Sequence, residues 1–269
     1  MDYKLRDATQ HAEKLVRDEK LELPIDVIAL AESRDIIVQA KPETAIGVSG
    51  MLINYKNNFA IGYATHINNN GFQRFSIAHE LGHYFLPGHP EQLFNNGQNE
   101  HLSRAGFGSG LQIELEADHF AAGLLMPTHL FKSKADKYSD GLSAIEKLAI
   151  DCGASLTASA IRYAELTEAA VAIILSTGSV INYCFVSNSL RGLRGFKHPS
   201  KDSLLPKDSL TRNFNQVSSN VSSSEKDDDE ADTMSWFKTD DELEAYEEVI
   251  GLGNYGKTLT VITVESSDD

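Results

Sequence analysis

The chain is predicted to be an α+β protein. Its expected parts are a small antiparallel sheet with two helices against it, then a helical segment, then a smaller mixed α/β region. Three observations predict this: a hairpin pattern over 48–64, two strongly periodic helical segments over 74–86 and 112–125, and a second group of strand patterns late in the chain.

In chain order, residues 7–19 carry Ala8, Ala12, Leu15 and Val16 at helical spacing. Pro24 then opens a second helix holding Ile25, Ile28, Leu30 and Ala31. Ile36–Val38 reads as a short strand. Val48–Tyr55 and Phe59–Ala64 read as a hairpin around Lys56-Asn57-Asn58, because Asn tolerates the positive φ of tight hairpin turns. Helical periodicity follows at Arg74–Leu86, and the Gly-, Asn- and Pro-rich stretch 87–111 reads as a long connection of the kind that borders a cleft. Helices are expected at 112–125, 129–138, 142–151 and 156–167. Strands are expected at Val171–Leu175 and Val180–Val186, with a last helix at 240–250 and a last strand at 257–264.

The organisation expected from these patterns is a core domain over 1–140 and a helical, helix-turn-helix-like segment over 141–168. Residues 169–215 with 234–264 form the mixed C-terminal region. Residues 216–233, with Ser222-Ser223-Ser224 and Asp227-Asp228-Asp229, read as an acidic linker too polar to offset its ordering entropy.

Composition narrows the function. The chain has 269 residues, of which 41% are hydrophobic and 23% charged, an ordinary globular balance. No apolar run approaches the roughly 20 residues that a membrane-spanning helix needs. The N-terminus lacks the apolar core of a secretory signal. Cys152 and Cys184 are the two cysteines, too few for a disulfide framework, so a reducing cytoplasm is expected. The net charge of −15 repels a polyanion and argues against DNA binding by the molecule as a whole, the helix pair at 144–166 included.

The chemistry is concentrated in His79-Glu80-Leu81-Gly82-His83. With about 100° per residue, the two histidines lie about 40° apart on the helix, so both imidazoles can reach one zinc ion. They project opposite the apolar stripe of Ile77, Ala78, Leu81, Tyr84 and Phe85. Glu80, between them, is placed to activate the attacking water as general base. Catalytic zinc takes three protein ligands and keeps one open position. Two residues compete for the third place. His89 has the six-residue spacing of another zinc-peptidase pattern, but Leu86 stands where that pattern needs glycine. On the helix at 112–125, with Glu114 at 0°, Asp118 falls at about 40°, Ala121 at about 340°, Ala122 at about 80° and Leu125 at about 20°. A small-residue face bearing one carboxylate suits close packing against the zinc helix, so Glu114 is favoured as third ligand. Asp118 is then placed to accept the free N–H of a ligand histidine. Glu116 and His119 fall on the far side and read as solvent-facing. Tyr84, His89, His101 and His119 all remain candidates for stabilising the oxyanion.

The segments Arg74-Phe75-Ser76-Ile77-Ala78-His79-Glu80-Leu81-Gly82-His83-Tyr84-Phe85-Leu86 and Glu114-x-x-Ala117-Asp118-x-Phe120-Ala121-Ala122-Gly123-Leu124-Leu125-Met126-Pro127 resemble the ImmA/IrrE family of metallopeptidases. Gly47–Ile53 is similar to that family's strand leading to the zinc helix. The resemblance covers about residues 25–165, with a looser likeness of the C-terminal part to longer members. It implies a reduced zincin-like core, one zinc ion bound by His79, His83 and Glu114, and Glu80 as base. It also implies proteolysis of a regulator, typically a helix-turn-helix repressor or antitoxin encoded nearby, in stress response and transcription regulation. The competing reading is a zinc-binding regulator or toxin–antitoxin component that acts by partner binding alone.

Overall fold

The computed structural model describes residues 2–42, 47–104, 111–240 and 243–265. Residues 105–110 of the expected long connection and 241–242 of the expected last helix lie outside these. The chain divides into two compact units, residues 1–134 with 148–155, and residues 135–147 with 156–269. The segment 141–168, expected as a helical unit of its own, is shared between them.

The first unit opens with α1 (Tyr3–Asp18) and α2 (Val27–Glu32). Asp2 caps α1 by accepting from Lys4 N, and Asp26 caps α2 by accepting from Ile28 N and Ala29 N. A four-stranded sheet follows, of β1 (Ile37–Lys41), β2 (Val48–Tyr55), β3 (Asn58–Ala64) and, after α3 (Asn70–Phe85) and α4 (His89–Leu93), β4 (Glu100–Arg104). Its order is β1-β3-β2-β4. The β1–β3 pairing is parallel, and β2 pairs antiparallel with both β3 and β4. The hairpin turn is Lys56-Asn57, both at positive φ (54° and 64°), the conformation that a two-residue hairpin demands. Where β2 meets β4 the register shifts between Val48 and Gly50, a bulge at Ser49.

α3 begins four residues earlier than its apolar periodicity predicts, because Asn69 caps it by accepting from Phe72 N. It ends at Leu86, whose extended backbone leads into Pro87 and into Gly88 at φ 83°. α5 (Gln112–Leu125) matches its expected bounds, stops before Pro127, and packs against both α1 and α3. Small residues permit that approach: a Cβ on Gly82 would lie 3.1 Å from Ala117 Cα, and one on Gly123 3.0 Å from Thr9 O. α6 (Thr128–Ala135) and α7 (Leu142–Cys152) come next.

The second unit holds α8 (Leu156–Leu166), β5 (Ala170–Thr177), β6 (Val180–Val186), α9 (Asn188–Arg191), α10 (Leu210–Asn215), α11 (Ser218–Ser222), β7 (Lys226–Asp232), α12 (Thr233–Trp236), β8 (Glu244–Gly251) and β9 (Thr258–Val264). Its five-stranded antiparallel sheet runs β6-β5-β9-β8-β7, with the almost wholly buried β5 and β9 inside. One core cluster gathers Ile174, Ile181, Leu190, Leu205, Trp236, Phe237 and Ile262.

Two expectations are corrected here. The segment 216–233 is no linker: it holds α11 and β7, and β7 pairs with β8 along its length, from Lys226↔Ile250 to Asp232↔Glu244. Backbone pairing needs no apolar side chains, and six of the seven β7 residues are exposed on this edge strand. Acidic side chains there also oppose edge-to-edge association. The last helix, expected at 240–250, is instead β8. Its Glu-rich composition favours helix, but Ala245, Glu247 and Val249 are buried in alternation between two strands, and pairing overrides the propensity.

Candidate metal centre

Three buried side chains, His79 and His83 on α3 and Glu114 on α5, place a donor atom each within 4.8 Å of one another. Such a group can hold a metal ion. His79 Nε2 lies 3.1 Å from His83 Nε2 and 3.3 Å from Glu114 Oε2, and His83 Nε2 lies 3.5 Å from Glu114 Oε1. A tetrahedral ion with arms of about 2.0–2.1 Å separates its ligand atoms by about 3.3 Å, so the spacing fits one zinc-sized cation.

The polar atoms around the cluster point the same way. Among the described residues, neither carboxylate oxygen of fully buried Glu80, nor Glu114 Oε1, nor His101 Nε2 has an aligned hydrogen-bond partner, although the Ser103 hydroxyl faces Glu80. His101 Nε2 and Glu114 Oε1 are 3.1 Å apart but not aligned for a bond. Leaving such groups unpaired in a dry interior is costly, and a cation held by His79, His83 and Glu114 would pair Glu114 Oε1 and set an opposite charge near the Glu80 carboxylate. The donor set of two imidazoles and a carboxylate suits zinc chemistry.

The electrostatics follow from crowding. Burial would lower His79, but its bonds to Asp118 and Glu114 and the nearby Glu80 charge outweigh that and raise it to about 10. His83 is lowered to about 4 by burial. Glu80 is raised to about 7 by burial, offset in part by the His79 charge, the Ser103 hydroxyl and the His101 charge. Burial would raise Glu114 too, yet the imidazoles of His101, His79 and His83 hold it far below the usual carboxylate range.

The expected residues are thus brought together, with one difference. The two histidines face no open cleft: His79 is 7% exposed and His83 not at all, because Ser76–His83 is buried all round. Asp118 lies where the helical wheel put it, its Oδ1 2.8 Å from His79 Nδ1. His89 offers neither nitrogen to the cluster. Its Nδ1 is 3.1 Å from His83 Nδ1, and its Nε2 is 3.1 Å from Glu116 Oε2. Glu116, expected to face solvent, therefore joins the site. Tyr84 packs edge-on against Phe59, and the His119 carbonyl accepts from Thr9 Oγ1.

His101 enters from β4, a strand hidden in the expected long connection. Its register partner is Leu52 on β2, and Gly50 pairs with Ser103. Directly opposed residues share a face, so His101 and Ser103 point the way Gly50 and Leu52 do. That face carries Glu80: a Cβ built on Gly50 would sit 2.4 Å from Glu80 Oε1. Gly50, which no motif singled out, is thus the residue whose missing side chain makes room for the carboxylate. The Gly, Asn and charged residues flanking β4 left no apolar alternation by which to find it.

No helix among the described residues is long and apolar enough to cross a membrane. No curated protein matches the chain. A solved structure described as a Mycobacterium tuberculosis transcriptional regulator is similar in fold at TM-score 0.58 and 14% identity, over 96% of this chain and 76% of that one. Residues 31–163 match the family Peptidase_M78, the IrrE N-terminal-like domain. That stretch contains every residue of the cluster, and through it the chain belongs to the ImmA/IrrE family.

Proposed function

We propose that this protein is a zinc-dependent endopeptidase that cuts a regulatory protein, with His79, His83 and Glu114 as metal ligands and Glu80 as general base. The observation that carries the reading is a fully buried Glu80 carboxylate, without an aligned donor among the described residues, beside a three-donor cluster of zinc-like spacing.

Zinc bound there supplies Lewis-acid polarisation of the scissile carbonyl and makes water a nucleophile near neutral pH. Glu80 takes the proton of the attacking water and returns it to the departing amine nitrogen as the C–N bond breaks. Its raised pKa, about 7 before a cation adds its charge, matches a group that must both accept and release a proton. Asp118 accepts from His79 Nδ1 and turns the other ring nitrogen toward the cluster. Among the oxyanion candidates, His101 has the best support, because its Nε2 lies in the cluster without an aligned partner.

The substrate class rests on the ImmA/IrrE resemblance, which implies a helix-turn-helix repressor or antitoxin. The similar solved structure described as a transcriptional regulator fits that setting. The test is Glu80→Gln, which keeps size and removes the base. Zinc content should hold at about one per chain while cleavage of a co-expressed repressor encoded nearby falls about 10²–10⁴-fold. Cleavage at the wild-type rate by Glu80→Gln would remove Glu80 as the base and with it the mechanism argued here, whereas full biological activity without any cleavage would leave a zinc-stabilised binding protein.

A further inference from the structure

We propose that His89 and Glu116 form a positioning pair that sets the tautomer and ring orientation of His83. The inference rests on the reading of His83 as a metal ligand and extends it to two residues outside the ligand set.

The argument is a chain of donors and acceptors. The Glu116 carboxylate has no proton to give when ionised, so at 3.1 Å it accepts from His89 Nε2–H. A neutral imidazole with its proton on Nε2 has only a lone pair on Nδ1. That lone pair is 3.1 Å from His83 Nδ1, so His83 Nδ1 must carry the proton and donate it. His83 Nε2 is then the unprotonated nitrogen, and it is the one that lies 3.1 Å from His79 Nε2 and 3.5 Å from Glu114 Oε1. One carboxylate thereby dictates, through one relay imidazole, which nitrogen of His83 offers its lone pair to the metal.

The relay is built in. His89 is 3% exposed, and its backbone N–H donates to Leu86 O just after α3 ends. Gly88 at φ 83° makes the turn that folds His89 back against His83. Gln112 Nε2 donates to the second Glu116 oxygen, at 3.1 Å, and holds the carboxylate in place. The two ligand histidines are thus anchored differently from the same helix. Asp118 reaches His79 directly, and Glu116 reaches His83 through His89. Such outer partners of metal-binding histidines are worth about 10–100-fold in metal affinity.

The test needs no substrate. In the metal-free full-length wild type, nitrogen-15 NMR of the histidine rings should find His83 protonated on Nδ1. Zinc affinity is then measured by chelator competition. His89→Leu removes the acceptor and should weaken zinc binding about 10–100-fold. Glu116→Leu leaves His89 free to take either tautomer and should fall between His89→Leu and wild type. His89→Asn can present its Oδ1 where Nδ1 was and should recover most of the loss. Thermal melts of the metal-free variants separate a lost bond from a lost fold, and the wild-type tautomer stands independent of any variant. His83 protonated on Nε2 in the wild type would overturn the pair. So would a folded His89→Leu that binds zinc within about twofold of wild type, or a His89→Asn no better than His89→Leu. Glu114→Ala is the control for the ligand reading: zinc retained in Glu114→Ala overturns that reading, whereas zinc lost there but kept in His89→Leu overturns only the positioning pair.

Discussion

Gly50→Ala adds one methyl group to β2 and tests whether the space beside Glu80 is shaped for the reaction. The new Cβ would stand 2.4 Å from Glu80 Oε1, 3.2 Å from its Cδ and 3.3 Å from its Cγ. An ordinary carbon–oxygen contact is about 3.4 Å, so the carboxylate must move by about 1 Å in a close-packed interior. Gly50 sits in regular strand with no positive φ, so Ala meets no backbone strain, and its lower chain entropy offsets part of the crowding. A misplacement of about 1 Å in a reacting group costs about 10²-fold in rate, equivalent to about 2.7 kcal/mol of transition-state stabilisation. His79, His83 and Glu114 come from α3 and α5, away from the new methyl, so bound zinc should stay at about one per chain. The assay compares wild type and Gly50→Ala for zinc content, melting temperature and initial cleavage rate on a pool of internally quenched peptides. A variant with full zinc and wild-type rate would refute the claim that Gly50 makes room for a working Glu80. A variant that loses its zinc would refute the claim that this face positions the base and not the metal.

Two further outcomes are expected in the second unit. Buried Glu247 accepts from Thr211 N, Thr211 Oγ1 and Trp236 Nε1, so Glu247→Ala orphans Thr211 N and Trp236 Nε1, while the Thr211 hydroxyl keeps Thr260 Oγ1, and should cost about 2–5 kcal/mol; denaturation followed by the fluorescence of Trp236, the one tryptophan, should shift accordingly, and an unchanged midpoint would contradict this. Burial raises the Cys184 thiol to about 12, so its thiolate fraction at pH 8 is about 10³-fold below that of a free cysteine, and iodoacetamide should label it that much more slowly in the native protein than after unfolding.

How much of this was legible in the sequence depends on how far each feature reaches along the chain. α5 was read residue for residue, and the Lys56-Asn57 turn within one residue, because period 3.6 and positive-φ tolerance are local properties. The same periodicity placed His79, His83, Glu114 and Asp118, since each pair lies one turn apart on one helix. β7 and β8 were misread for the opposite reason. Lys226–Asp232 has no apolar alternation, and Glu244–Gly251 has the composition of a helix, so only the hydrogen bonds between them and to β9 make them strands.

The same distinction explains why sequence reasoning set Glu116 aside and left His101 as one of four unranked oxyanion candidates. Glu116 lies about 200° from Glu114 on α5, a side the wheel assigns to solvent, and α5 taken alone would leave it there. What covers it is His89, delivered by a turn at Pro87-Gly88 after a different helix. His101 depends on a still longer link, the register of β4 on β2, where a slip of one residue would turn its ring to the other face of the sheet. A helical motif therefore discloses the ligands it carries. Asp118 is disclosed with them, but the groups proposed to orient His83, and the glycine that clears space for Glu80, are chosen by neighbouring elements. Their signal in the sequence is a lone His, Glu or Gly with no pattern of its own, and it acquires meaning only when the pairing of strands and the path of the loops are known.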